Sequence, residues 1–417
     1  MCGSMPARTK PVRAVIAKTE IIERAGEWNL RPEVVEKDYV LGWVLAALSQ
    51  EGGIRDAWIL KGGTCVKKCF FETYRFSEDL DFTLLPSAAY DAFSIAGALR
   101  DLAERTQELS GLRFNPAEMM VKAKHDRHDR PTFEGRIGYQ GPLGMPGWPR
   151  IRFDITQHEQ VVVPAVSRSV LHPYSDTIPA DARVHTYAFE ELLAEKTRAL
   201  FERTRPRDLY DVVYILDNLE EPLDAETTRT TFAAKCRAKG FEPPTATEIV
   251  SRVRESAELR SDWDAMLAHQ LPYAAPVEGA IERLVRALEW LVAHVSRSIR
   301  GTATGLATVP NAGAGGVVAP RGMHGSIIDR LRFAGANRLL VQFDYHGRRR
   351  RVEPYSLRWA STTGNLNFYG WEAVTNQIKA FTVNKMSAVQ VLTDTFVPKY
   401  NVELAKSDAI GVGRWRW

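Results

Sequence analysis

Residues 60–82 read LKGGTCVKKCFFETYRFSEDLDF, and this stretch decides the fold. Gly62 and Gly63 let the backbone turn sharply and come close to a ligand. Thr64 then opens a helix over 64–74, where free amides and the helix dipole favour phosphate. Asp79 and Asp81 alternate along the next strand (80–85, LDFTLL), so both side chains point to one face. Two carboxylates on one face repel unless a cation lies between them, and Mg²⁺ takes oxygen ligands while keeping substrate phosphates in its shell. Apolar neighbours on both sides make this a core strand, where charge is costly unless paired or metal-bound. A Gly-Gly turn alone, or a DxD alone, is common on solvated surfaces. Together and in this order they point to a nucleoside triphosphate and a divalent cation.

Working outward, residues 14–50 are expected as helices, with Val40, Leu41, Val44, Leu45 and Leu48 forming one apolar face. A short buried strand, 56–60, runs into the glycine turn. Residues 88–109 form an amphipathic helix. Two strands follow at 133–140 and 150–156 around the Gly/Pro-rich loop GPLGMPGWP. Residues 188–217 are helical with a break at Pro206. Residues 277–299 are one long helix carrying a stripe from Val277 to Val295.

The segment 60–82 resembles the nucleotidyltransferase motif of the DNA polymerase β superfamily. It is most similar to the AbiEii group of type IV toxin–antitoxin and phage-abortive toxins, whose pattern is a GG[ST]-x-L-x-K turn and helix followed by RFSEDxD. Gly62, Gly63, Thr64, Lys68, Arg75, Phe76, Ser77, Glu78, Asp79 and Asp81 match, and Val66 stands where leucine is usual. VEKDYVLGWVL (35–45) resembles that group's N-terminal helix. In RIRFDIT (150–156), Asp154 looks like the superfamily's third carboxylate. In FEELLAEKTRALFERTRPRDLYDVVYIL (189–216), Lys196, Arg203, Arg207, Asp208 and Asp211 match the AEK and RDxYD motifs.

The resemblance covers residues 30–220. It implies an α/β (α+β) polymerase-β-like core with two Mg²⁺ ions on Asp79, Asp81 and Asp154. It further implies a triphosphate held by Gly62, Gly63, Thr64, Lys68, Ser77 and Asp208, and catalysis by the carboxylates with Lys196 and Asp211. The implied acceptor is RNA, the 3′ end of tRNA for part of the group, and protein for other members. A cognate antitoxin is the implied partner.

Residues 301–323, GTATGLATVPNAGAGGVVAPRGM, are nearly uncharged and rich in Gly, Ala, Thr and Pro. They read as a flexible linker. The expected organisation is therefore a transferase core (1–220), its helical completion (221–300), the linker (301–323) and a small β domain (324–417). Few contacts should cross the linker. Residues 326–403 resemble a WYL domain, a small SH3/Sm-like β-barrel, although Phe368-Tyr369-Gly370 stands in place of the naming triplet. On that resemblance Arg351, Arg358, Tyr369 and Lys385 are candidates for a nucleic acid or nucleotide signal, since aromatic faces beside cations suit bases and phosphates. Otherwise Phe368 and Tyr369 fill the barrel core and Arg348 to Arg351 form a solvated hairpin.

Charge supports an anionic partner for this module. Residues 324–417 hold 14 Lys/Arg against 7 Asp/Glu, whereas the rest holds 41 against 44. No apolar run is long enough to span a membrane. The first residues lack the apolar stretch of a secretory signal. Cys2, Cys65, Cys69 and Cys236 form no CxxC pair, and a reducing cytoplasm is the expected location. His125 and His128 in KAKHDRHDR fit a polar loop better than a metal site. The alternative to an enzyme is a non-catalytic transferase-fold scaffold that senses nucleic acid through its β domain.

Overall fold

The computed structural model describes residues 15–85, 90–125, 131–219, 223–292, 325–360, 363–405 and 411–412. The expected linker at 301–323 and His128 lie outside these residues, as does the end of the helix expected over 277–299. The chain divides into two compact units, one of residues 1–192 with 269–272 and one of residues 193–268 with 273–417.

The first unit opens with helices α1 (Lys18–Glu27) and α2 (Pro32–Leu48). α2 is buried on almost every side from Val34 to Leu48, Glu36 and Asp38 included, rather than only on the one apolar face expected. Strand β1 (Trp58–Lys61) leads through the glycine turn into α3 (Gly62–Cys69), which is shorter than the helix expected to residue 74. β2 (Asp79–Leu84), α4 (Ala92–Ser110), β3 (Arg113–His125), β4 (Pro131–Gln140), β5 (Arg150–Thr156), β6 (Val166–Ser169) and β7 (Arg183–Thr186) follow. The seven strands form one mixed sheet in the order β3-β4-β5-β2-β1-β7-β6. β2 runs antiparallel to β1 and parallel to β5, so the strand carrying Asp79 and Asp81 lies centrally, between the other two site strands.

A buried ion pair fixes α3 to α2. Lys68 Nζ lies 2.6 Å from Asp38 Oδ2, and the Tyr174 hydroxyl donates to the same carboxylate at 2.9 Å. Burial would raise the Asp38 carboxyl, but the Lys68 and Lys67 charges outweigh it and hold it below the ordinary carboxylate range.

In the second unit, α5 (Phe189–Arg203, from Leu193 onward) and α6 (Pro206–Asp217) are separated where Pro206 predicts a break. α7 (Ala225–Ala238), α8 (Ala246–Glu255), α9 (Ala257–Leu267), α10 (Val277–Ala287) and a short 3-10 turn at Glu289–Leu291 follow. Then come α11 (Gly325–Ala336) and strands β8 (Leu339–Tyr345), β9 (Arg348–Trp359), β10 (Leu366–Glu372), β11 (Gln377–Thr382), β12 (Met386–Thr395) and β13 (Gly411–Val412). The sheet order is β11-β10-β9-β8-β12, with β13 beside β9. The expected closed barrel is not formed: this ladder is open, with no pairing of β11 to β12 among the described residues. Phe343, Phe368 and Phe381 pack together on its buried face.

Contrary to the expectation that little would cross the linker, α6 is bonded to the turn after α11. The Tyr210 hydroxyl donates to Asn337 Oδ1 at 2.8 Å, and Asn218 Nδ2 donates to the Ala336 carbonyl at 2.9 Å. Arg338 donates to the Asp217 carbonyl, and Arg283 to the Asn337 carbonyl at 3.1 Å. Buried polar groups stripped of such partners each cost about 1–3 kcal/mol. A chain ending at residue 300 is therefore expected to melt at a lower temperature than the full chain and to lose helical signal by circular dichroism. An unchanged transition would show that these bonds are dispensable.

Candidate active site

The register of four neighbouring strands aligns the chemistry. Asp81 on β2 stands opposite Lys61 on β1 and opposite Asp154 on β5. Asp154 in turn stands opposite Glu134 on β4. Paired residues share a sheet face, so Glu134, Asp154, Asp81 and Lys61 make one row across four strands. The adjacent row on the same face holds Arg136, Arg152 and Asp79.

The glycine turn closes on the end of this row. Gly62 has φ +74°, and a Cβ built there would lie 2.8 Å from Asp81 Cγ. The Asp81 carboxylate thus packs directly against the backbone that starts α3. A Cβ on Gly63 would lie 2.8 Å from Ser77 Oγ and 3.1 Å from Arg75 Nη2, so the RFS segment seals the turn from the other side. Arg75 is anchored by Gln270 Oε1 at 2.9 Å, and Thr64 Oγ1 donates to the Asp79 carbonyl. Lys61 is ion-paired with Glu159. Gly62, Gly63, Thr64, Ser77, Asp79, Asp81 and Asp154 are therefore neighbours around the turn and the acidic strands.

The electrostatics of the row are strained in one direction. Burial first, then the charges of Asp79 and Glu134, push the Asp154 carboxyl above its ordinary value, against Arg152 and Lys124. Glu134 goes the other way: Lys124 and then Arg136 bond to it and hold it down to about 2. A small open cavity of about 180 Å³ borders Asp154, lined by Lys124, Thr132, Glu134 and Thr156 among others.

The donor chemistry suits Mg²⁺, a hard cation that needs only one or two carboxylates beside phosphate and water oxygens. Among the described residues no three His, Cys, Asp or Glu side chains converge on one point. Asp79, Asp81 and Asp154 are aligned by register rather than gathered into a closed cage.

Other expected site residues are engaged in ion pairs of their own. Lys68, expected at the triphosphate, is buried against Asp38, so its charge is taken up in fixing α3. In the second unit Lys196 Nζ is 2.7 Å from Asp211 Oδ2, and Asp211 is fully buried. Asp208 receives both Nε and Nη2 of Arg203, at 3.1 and 2.6 Å. The RDxYD carboxylates thus act as anchors for cations on α5. In the C-terminal sheet, the register places Arg351, Arg358 and Tyr369 on the face away from Phe368. Arg351 pairs with Asp394 at 3.0 Å and Arg358 with Glu403, while Lys385 is exposed in a 3-10 turn. Phe368 fills the core, as the plainer reading of that segment has it, but Tyr369, which that reading also put in the core, is only part-buried on the opposite face.

Glu134 and Arg152 do not stand out in the sequence. Their only signal is alternation in FEGRIGYQ and RIRFDIT, which marks a face without saying what the face meets.

Two substitutions follow from this geometry. Gly62→Ala demands a positive φ and drives a methyl into Asp81, so transfer is expected to vanish while the chain stays folded by circular dichroism. Retained activity would mean that the turn can yield. Asp154, with its carboxyl raised, is destabilising when ionised, and that cost disappears as pH falls through its folded value. Asp154→Asn should therefore melt no lower than wild type at neutral pH while losing activity, and a clear drop in midpoint would contradict the cost of burying this charge beside Asp79 and Glu134.

Comparison with known proteins completes the assignment. A family model described as "Nucleotidyl transferase AbiEii toxin, Type IV TA system" matches residues 43–294, more than half of the chain. No curated protein matches the sequence. Solved structures that resemble it include MenT4, a nucleotidyltransferase toxin from Mycobacterium tuberculosis H37Rv, at 18% identity and a TM-score of 0.43, covering 67% of this chain and 91% of that one. The chain belongs to the AbiEii family of type IV toxin–antitoxin nucleotidyltransferase toxins.

Proposed function

We propose that this nucleotidyltransferase moves a nucleoside monophosphate from an NTP onto a hydroxyl of RNA, with the 3′ end of tRNA as the leading acceptor. The observation that carries this reading is the carboxylate row, Asp154 beside Asp81, abutting the start of α3 through Gly62. A helix start with free amides takes phosphate, so Gly62, Gly63, Thr64 and Ser77 receive the triphosphate next to the acids.

Asp79, Asp81 and Asp154 would hold two Mg²⁺ ions, which when bound supply charge neutralisation at the phosphates and activate the attacking hydroxyl. The chain's own residues orient and exclude. The Gly62–Asp81 contact fixes the carboxylate against the phosphate turn, and Ser77 with Arg75 closes the turn behind it. Lys196 neutralises charge that develops in transfer, its ammonium held by Asp211. Lys68 and Asp208 serve indirectly, as struts.

The C-terminal module is read as a WYL-like sensor or RNA clamp through Arg351, Arg358, Tyr369 and Lys385, in keeping with its positive excess. Among the described residues no helix is long and apolar enough to cross a membrane. A cytoplasmic toxin restrained by an antitoxin, acting in phage defence, is the setting this reading implies.

The test incubates the protein with each labelled NTP, Mg²⁺ and total cellular RNA. One nucleotide is expected to label a tRNA band, and chelation of the metal to abolish it. Asp79→Ala and Asp81→Ala should each abolish labelling with an essentially unchanged melting midpoint. Near-wild-type labelling by either variant would end the metal-pair reading, and label appearing only on protein would move the acceptor class. Lys196→Ala should lower the single-turnover rate more than NTP affinity; an unchanged maximal rate at higher NTP would make it a ground-state contact.

A further inference from the structure

Beside the carboxylates, on the side of β5 away from the phosphate turn, lies a cluster that the transfer chemistry above does not use. Glu134 is buried, yet three cations converge on its carboxylate. Lys124 and Arg136 are ion-paired with it, with Arg136 Nε 3.1 Å from Oε1, and Arg152 Nη2 lies 3.5 Å from the same oxygen. Arg152 is shared, since its Nε also lies 4.0 Å from Asp79 Oδ1. The three cationic side chains are between 38% and 59% exposed while Glu134 is 9% exposed. Three partly exposed cations thus meet at one buried carboxylate next to the cavity at Asp154, with Asp79 and Asp154 as the neighbouring acids on the same face.

We propose that Glu134 is a positioning residue that holds Lys124, Arg136 and Arg152 as a preformed phosphate track for a polynucleotide acceptor strand, leading its hydroxyl end to Asp154. This rests on the transferase reading above. The cations come from β3, β4 and β5 and meet at Glu134, so three side chains from three strands are gathered into one cluster beside Asp154. The triphosphate has its own seat at α3, on the opposite side of β2. Long cationic side chains otherwise lose much rotamer freedom on binding, and a buried carboxylate that gathers three of them removes part of that cost in advance. Glu134 also offers Arg152 an alternative partner to Asp79, so that the guanidinium need not stay on a carboxylate required for catalysis.

The proposal predicts the opposite sign to simple electrostatics. Glu134→Gln adds a positive charge to the surface, and charge alone would tighten binding of any polyanion. Positioning predicts weaker binding. The experiment measures fluorescence anisotropy of a labelled short oligoribonucleotide on the full chain across a salt series, with binding of a non-hydrolysable NTP measured in parallel. Glu134→Gln is expected to lose several-fold in oligonucleotide affinity at unchanged NTP affinity. The log–log salt slope should become shallower by about 0.7 for each phosphate no longer neutralised, and Glu134→Asp should restore part of the effect.

Tighter or equal oligonucleotide binding by a folded Glu134→Gln overturns the proposal. Should that variant fail to fold, the double substitution of the exposed Lys124→Ala and Arg136→Ala decides, and wild-type affinity and slope there likewise overturn it. Transfer to RNA by the wild type with no binding defect in these variants would sink this inference alone. A binding defect without any transfer would leave the track and sink the reading of function.

Discussion

Asp81 and Asp154 face each other across a parallel ladder, and holding two carboxylates there is the constraint around which the first unit is arranged. Burial first, and then the neighbouring charges of Asp79 and Glu134, raise the Asp154 carboxyl. The sheet tolerates them because the row is closed by cations at both ends. Lys61, itself paired with Glu159, stands beyond Asp81. Arg152, Arg136 and Lys124 gather at the other end around Glu134.

The glycine turn depends on the same row. At Gly62 the issue is the space occupied by Asp81 as much as the positive φ, because any side chain there would displace the carboxylate. Ser77 and Arg75 fill the corresponding space at Gly63, and Gln270 holds Arg75. Glycine turn, RFS loop and acidic strand therefore form one packed object. A change at any of the three is transmitted to the other two.

The charged motif residues divide into two kinds. Asp79, Asp81 and Asp154 lie half-buried on the open sheet face. Lys68–Asp38, Lys196–Asp211 and Arg203–Asp208 are struts between helices. For the two buried pairs, Lys68–Asp38 and Lys196–Asp211, breaking one partner leaves an uncompensated charge and costs about 3–5 kcal/mol, whereas Arg203 is half exposed. Loss of activity on substituting a strut residue therefore needs a melting measurement beside it before a catalytic role is assigned. The link between α6 and the turn after α11 has the same character, joining the helices of the second unit to the residues after 324 through buried side-chain hydrogen bonds.

Residues 60–82 carried most of what a sequence can carry: a turn that needs glycine, a helix start, and a DxD on an apolar strand. These are local, since each depends on spacings of one to a few residues along one backbone. β4 and β5 were legible from alternation, and the break at Pro206 from the missing amide. β3 was not: its burial is slight along most of its length, and an edge strand with polar residues on both faces has no period to read. Nor did composition reveal that residues 324–405 would bond to α6, because a Gly/Ala-rich segment says nothing of what its two ends touch. Glu134 stayed hidden for the same reason that Lys68 was misplaced. Alternation tells which face a charged side chain takes, but its partner is decided only when strands and helices far apart in sequence come together, which places Glu134 beside Asp154 and Lys68 against Asp38.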